Sequence, residues 1–90
     1  MDIKDIHNLF LKCNSVSIDT RKIAPNSLFV AIKGDRFDAN TFADEALSKG
    51  ASYVIIDNQS YYIDRRTIVV TDSLVTLQEL SKYHREYLKL

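Results

Sequence analysis

Apolar residues recur along this chain in two different periods. Ile3, Ile6, Leu9, Phe10 and Cys13 fall on one face of a helix, and Asp2 just ahead of them is a capping residue. Asn14-Ser15 ends that run. Residues 16–19 then read as a short strand, and Ala24-Pro25-Asn26-Ser27 as a turn with proline at its second position. Residues 28–32 (LFVAI) are an unbroken apolar run, the pattern of a strand buried on both faces. A polar loop over 33–40 follows. Thr41-Phe42-Ala43-Asp44 has capping-box spacing, with aspartate replacing the usual glutamate, and predicts a helix to about Lys49. Phe42, Ala46 and Leu47 are its inward residues. Gly50 suits the left-handed position after that helix, and Lys49 suits its last turn. Residues 53–56 and 67–70 read as two more strands. The polar connection between them carries Tyr61 and Tyr62, placed as covers over core edges. Asp72 or Ser73 caps a final helix whose apolar stripe is Leu74, Leu77, Leu80, Tyr83 or His84, and Tyr87.

The order α-β-β-α-β-β-α predicts an α/β fold: a small layered domain with a short, mostly parallel or mixed sheet flanked by helices. The βαβ unit over 28–56 is expected to be a right-handed crossover with parallel strands. Ninety residues suffice for one domain, spanning 1–90. No internal linker or repeat interrupts it. The chain stops in or just after a helix without a polar tail, so it reads as a domain cut from a longer protein.

Charge and cysteine content narrow the partners. Twelve basic side chains balance twelve acidic ones, which argues against nucleic acid or a membrane surface as a partner. The one basic cluster visible in the sequence is Lys82, Arg85 and Lys89, diluted by Glu86. The longest apolar run, five residues, is far too short to span a bilayer, and the amino terminus has no signal-peptide pattern. Cys13 is the sole cysteine, so no intrachain disulfide forms, as suits a reducing, cytoplasmic setting. It reads as a small buried hydrophobe. His7, a turn and a half back on the same helix, is poorly placed to act as its base.

No self-contained catalytic constellation is visible. There are two glycines, sixteen positions apart, and neither G-x-x-x-x-G-K-[ST] nor G-x-G-x-x-G occurs, so no ATP-binding phosphate loop lies on this chain. His7 and His84 are far apart in sequence and no spacing resembles a zinc site. What remains is a binding edge. The loop Gly34-Asp35-Arg36-Phe37-Asp38-Ala39-Asn40 joins a strand's carboxyl end to a helix's amino end, a position that suits ligands. Asp35 and Asp38 oppose a diphosphate there and Arg36 offsets only one of them, which favours hydrogen bonds to a ribose or a base. Phe37 offers an aromatic face. The plainer alternative is that Asp38 and Asn40 only shape the turn and cap the helix. The second candidate is Asp19-Thr20-Arg21, either a local ion pair with Thr20 opening a turn or a hydroxyl presented to a nucleotide base.

These segments together resemble the first domain of the Mur ligases, which build the peptide of bacterial peptidoglycan. The residues that carry the resemblance are Asp19-Thr20-Arg21, Pro25, the run from Leu28-Phe29 through Ala31 to Gly34, Asp38, Phe42, Ala46 and Gly50-Ala51. They keep the family's order and spacing over 16–57. The flanks, Gly34-Asp35-Arg36-Phe37 and Leu77-Gln78-Glu79-Leu80 with Tyr83-His84-Arg85, look like the branch that adds D-alanyl-D-alanine. The branch that adds the third peptide residue is the close alternative, and a non-catalytic nucleotide-binding or interaction module of the same fold is the rival of another class.

The resemblance implies an ATP-dependent, amide-forming ligase of three domains. In it this first domain holds the UDP end of UDP-N-acetylmuramoyl-tripeptide and is inactive alone. ATP and Mg2+ belong to the rest of the same chain, with no cofactor on this fragment. The carry-over places Ile18 on the uracil and the Thr20 hydroxyl, beside Arg21, on the base. It puts Gly34, Asp35, Arg36 and Phe37 at the base edges, with Asp38 and Asn40 holding the loop's shape. Two departures stand out. The family's Pro-Gly is Pro25-Asn26, and asparagine tolerates positive φ. Its Asp-Gly is Asp38-Ala39, and alanine tolerates positive φ poorly, which predicts a different loop path.

Overall fold

Leu28, Phe29 and Val30 have no exposed surface, so the apolar run does form the centre of the molecule. The structure, a computed structural model, describes residues 1–33 and 38–89. Its elements are α1 (Ile3–Leu11), β1 (Ser15–Ser17), β2 (Ser27–Val30), α2 (Ala43–Ser48), β3 (Ala51–Ile56), β4 (Thr67–Val69) and α3 (Ser73–Leu88). Short 3-10 turns lie at Thr20–Lys22, Ala39–Phe42 and Gln59–Tyr61.

The sheet order is β1-β2-β3-β4 and every neighbouring pair is parallel, with Val16 opposite Leu28, Phe29 opposite Val54 and Ile55 opposite Ile68. Parallel neighbours need a crossover at each step. Only the β2-to-β3 crossover carries an α-helix; the two shorter ones each use a 3-10 turn. Side chains alternate across the sheet, as the strand period requires. Leu28, Val30, Ile55 and Ile68 pack with Ile6 of α1 and Leu80 of α3. Phe29, Val54 and Ile56 pack on the other face with Ala43, Ala46 and Leu47 of α2. Helices thus cover both faces, and the all-parallel sheet is buried between them.

The turn at Pro25-Asn26 forms as expected, with Asn26 at φ 59°. Its side-chain amide donates to the Lys12 carbonyl at 2.9 Å. Gly50 follows α2 at φ 118° and sits against this turn.

Three expectations need correction. Thr41 does not cap α2: its hydroxyl donates to the Asp38 carbonyl at 2.9 Å, and no side chain caps that helix. Asp38 accepts the Asn40 N–H instead, so the chain turns once in 3-10 geometry before the α-helix starts. The start of α3's inward stripe is also displaced. Leu77 and Leu80 face the core as expected and Tyr87, 43% exposed, packs on His7, but Leu74 is 47% exposed while Ser73 and Thr76 are buried. Asp72 is the helix's cap, accepting from Leu74 N and Val75 N. Tyr61 and Tyr62 are exposed and do not cover a core edge. Ala39 takes no positive φ; it is buried in the α2-side core, so the Asp-Ala departure costs no strain at that residue.

Candidate functional site

A groove of about 970 Å³ runs between α2 and the segment that leaves β1. The parallel β1–β2 pairing creates it. The chain must climb over the α2 face of the sheet to return, and the 3-10 turn Thr20–Lys22 makes that climb with Ile23 packed into the core. Ile18, Asp19, Thr20, Arg21 and Lys22 form one wall, and Ala39, Phe42, Glu45 and Lys49 the other.

Asp19 organises the first wall. Its carboxylate accepts the Arg21 backbone N–H at 2.9 Å and is forked by the Arg21 guanidinium, at 3.1 and 3.2 Å from Nε and 2.8 Å from Nη2. The side-chain hydrogen bonds from Arg21, then its backbone N–H, hold the Asp19 carboxyl at about 2. The ion-pair reading of Asp19-Thr20-Arg21 is therefore correct as local structure. The pair also leaves two groups for a ligand. Ile18 is 54% exposed on the groove. The Thr20 hydroxyl has no hydrogen-bond partner among the described residues, although the Thr20 carbonyl accepts from Lys49 Nζ at 2.9 Å across the groove. The lysine ties the walls together and is itself 3.7 Å from Glu45.

Asp38 and Asn40 lie beside this groove without lining it. Asn40 is buried. Its side-chain amide donates to Asp38 Oδ1 at 2.6 Å and to Asp57 Oδ1 at 2.8 Å, while its carbonyl oxygen accepts the Asp57 N–H at 2.9 Å. The amide of Asn40 holds Asp38 below the usual carboxylate range, outweighing partial burial, with the Asn40 N–H and the charge of Lys33 adding to it. Asp57 in turn accepts Ser73 N at 3.0 Å. Asp57 was not singled out in the sequence, because a lone aspartate after a strand carries no signal until its partners are known. The remaining candidates, Gly34, Asp35, Arg36 and Phe37, lie outside the described residues.

Two further gatherings escape a linear reading. His7 and His84, 77 positions apart, meet with Nε2 and Nδ1 3.0 Å apart where α1 and α3 pack. Phe10, Tyr83 and Tyr87 surround His7 at ring-centroid distances of 5.7, 4.8 and 4.8 Å. Each histidine stands on its helix's inward face, and that was the available signal. Lys12, Arg65 and Arg66 gather around a second cleft at the amino ends of the strands, so Lys82, Arg85 and Lys89 are not the sole basic cluster. Within it Arg66 is forked onto Asp64 at 2.7 Å. Cys13 is half-buried, its thiol is directed at the Leu9 carbonyl at 3.4 Å, and burial pushes its pKa up. Among the described residues no three His, Cys, Asp or Glu side chains are grouped to hold a metal, and no helix is long and apolar enough to cross a membrane.

The chain is a small α/β domain, a four-stranded parallel sheet flanked by three helices, with a groove beside the Asp-Thr-Arg turn. Residues 12–85 match the family model described as Mur ligase family, catalytic domain. The chain belongs to the Mur ligase family. It is 38% identical over 76 residues to the UDP-N-acetylmuramoyl-tripeptide–D-alanyl-D-alanine ligase of Haemophilus influenzae, covering 84% of this chain and 17% of that one. Its identity to the ligase of the same name from Escherichia coli is 40% over 73 residues, covering 81% of this chain and 16% of the relative. A UDP-N-acetylmuramoyl-L-alanyl-D-glutamate–2,6-diaminopimelate ligase from Rickettsia montanensis is 38% identical over 68 residues, covering 76% and 14%. The crystal structure of MurF ligase from Thermotoga maritima in complex with ADP superposes with a TM-score of 0.73 at 31% identity, covering 82% of this chain and 17% of that one. The fold matches the N-terminal region of MurF. The chain thus spans about a sixth of the length of these relatives.

Proposed function

We propose that this domain holds the UDP end of UDP-N-acetylmuramoyl-tripeptide for a cytoplasmic, ATP-dependent ligase that joins D-alanyl-D-alanine to it in peptidoglycan synthesis. The observation that carries the reading is the groove wall at 18–20. An exposed isoleucine stands beside a hydroxyl that has no hydrogen-bond partner among the described residues, on a turn closed by the Asp19–Arg21 fork. An apolar branched side chain offers a face to a flat pyrimidine. The Thr20 hydroxyl donates to, or accepts from, the edge of the base. Gly34, Asp35, Arg36 and Phe37 complete the contact to the base, with Asp38 and Asn40 acting through the shape of the connection.

The sequence has no glycine-rich phosphate loop, which supports placing ATP, and Mg2+ with it, outside this domain. Both belong to the remainder of the ligase, as does D-alanyl-D-alanine, and this domain alone is inactive. The relative named as a 2,6-diaminopimelate ligase favours a second reading, a domain serving the preceding step on the shorter peptide. The UDP end is common to both.

The test is an amide NMR titration with UDP, with AMP as control. Shifts at Ile18, Asp19, Thr20 and Arg21 and over 34–40, seen with UDP and absent with AMP, are the expected result. Equal response to both nucleotides, or shifts confined to other surfaces, sinks the assignment.

A further inference from the structure

The connection from β2 to α2 is not held by its own residues alone. Asn40 is 1% exposed, and its side chain reaches out of the turn Ala39–Phe42 to Asp57, the residue that follows β3. The pair closes reciprocally: Asn40 Nδ2 donates to Asp57 Oδ1, and Asp57 N donates to Asn40 Oδ1. The second carboxyl oxygen of Asp57 accepts Ser73 N at the start of α3. One side chain thereby fastens three elements. Ala39 and Phe42, on either side of Asn40, are groove wall. Where Asn40 sits therefore sets where that wall stands.

We propose that Asp57 is a positioning residue for the groove: through Asn40 it fixes the wall that faces Ile18 and Thr20, and so sets affinity for the uridine end of the substrate without touching it. The inference rests on the function proposed above. The chemistry requires a carboxyl group at this position. Two donors, Asn40 Nδ2 and Ser73 N, use its two oxygens. An amide in its place offers one oxygen and one NH2, so whichever way it flips, a donor faces a donor. Losing such a hydrogen bond weakens whatever depends on the geometry by roughly tenfold.

The test uses UDP and this chain. In the unmodified protein, the side-chain NH2 signal of Asn40 and the backbone amides of Asp57 and Ser73 are expected to shift with the same saturation curve as Ile18 and Thr20. Asp57→Asn is expected to keep a folded spectrum and bind UDP roughly tenfold more weakly. If the groove responds to UDP while the Asn40, Asp57 and Ser73 signals stay still, or if folded Asp57→Asn binds like the unmodified chain, the positioning role is wrong. Should Asp57→Asn fail to fold, the Asn40 side-chain signal in the unmodified protein decides. Absence of any response in the unmodified chain instead counts against the function itself, so the two failures are distinguishable.

Discussion

His7 is an imidazole almost without water, hydrogen-bonded to a second imidazole and ringed by Phe10, Tyr83 and Tyr87. Burial first, and then the neighbouring His84, push its pKa below the ordinary 6.5. Over the range below about 6.5 the unfolded chain then binds more protons than the folded one. Stability is therefore whole above that pH and falls as the solution is acidified through it. The carboxyls with resolved shifts do not compete in this window. Asp19 and Asp64 are held at about 2 by their arginines, and Asp38 is likewise lowered, so each keeps its contribution until pH drops below the usual carboxylate range. The urea midpoint is expected to be lower at pH 5.5 than at pH 7.5. His7→Phe, which keeps a ring but cannot titrate, should flatten that dependence; an unchanged slope in the variant would refute the assignment. The pairing was not visible in the sequence, where a separation of 77 positions hides it. The Asp19-Thr20-Arg21 turn was legible because its hydrogen bonds span two residues and need no tertiary knowledge.

At the scale of elements, legibility followed how local each cause was. β2 (Ser27–Val30) was readable from the unbroken apolar run at 28–32, and the helix face of Ile3, Ile6 and Phe10 from its period, because burial in a sheet or on a helix leaves that imprint. The start of α2 was misread, since Asp38 supplies the turn three residues upstream of the apparent capping threonine. The start of α3's inward face was misread because Ser73 and Thr76 are buried there, which hydrophobicity does not encode. Gly50 was legible, and its φ of 118° makes it testable. A Cβ there would meet Pro25 Cα at 3.4 Å, a tolerable contact, so the penalty is conformational rather than steric. Gly50→Ala is expected to cost about 1–3 kcal/mol in chemical denaturation. A loss within a few tenths would mean that the helix end relaxes to another conformation.

The whole molecule depends on two small cores separated by one sheet. Neither face is independent, because β2 and β3 supply both: Leu28 and Ile55 to the α1–α3 side, Phe29 and Val54 to the α2 side. A domain of this size has about 5–15 kcal/mol of net stability at most. Truncating a buried leucine or phenylalanine to alanine removes about 2–5 kcal/mol of it. Leu28→Ala and Phe29→Ala alter opposite faces, yet the covalent strand between them joins the two cores into one folding unit. Each is expected to lower the urea midpoint in a single transition that far-ultraviolet dichroism and tyrosine fluorescence report alike. Tyr53, Tyr83 and Tyr87 stand on the α1–α3 side and Tyr61 and Tyr62 are exposed between β3 and β4, so none of the five tyrosines belongs to the α2-side core. If Phe29→Ala loosened the α2 side alone, dichroism would lose α2 before fluorescence moved, and the curves would separate. Coincident curves for both variants would show that the groove on the α2 side and the histidine pair on the α1–α3 side share one stability. Acidification that weakens the histidine contact would then also lower the population in which the groove is formed.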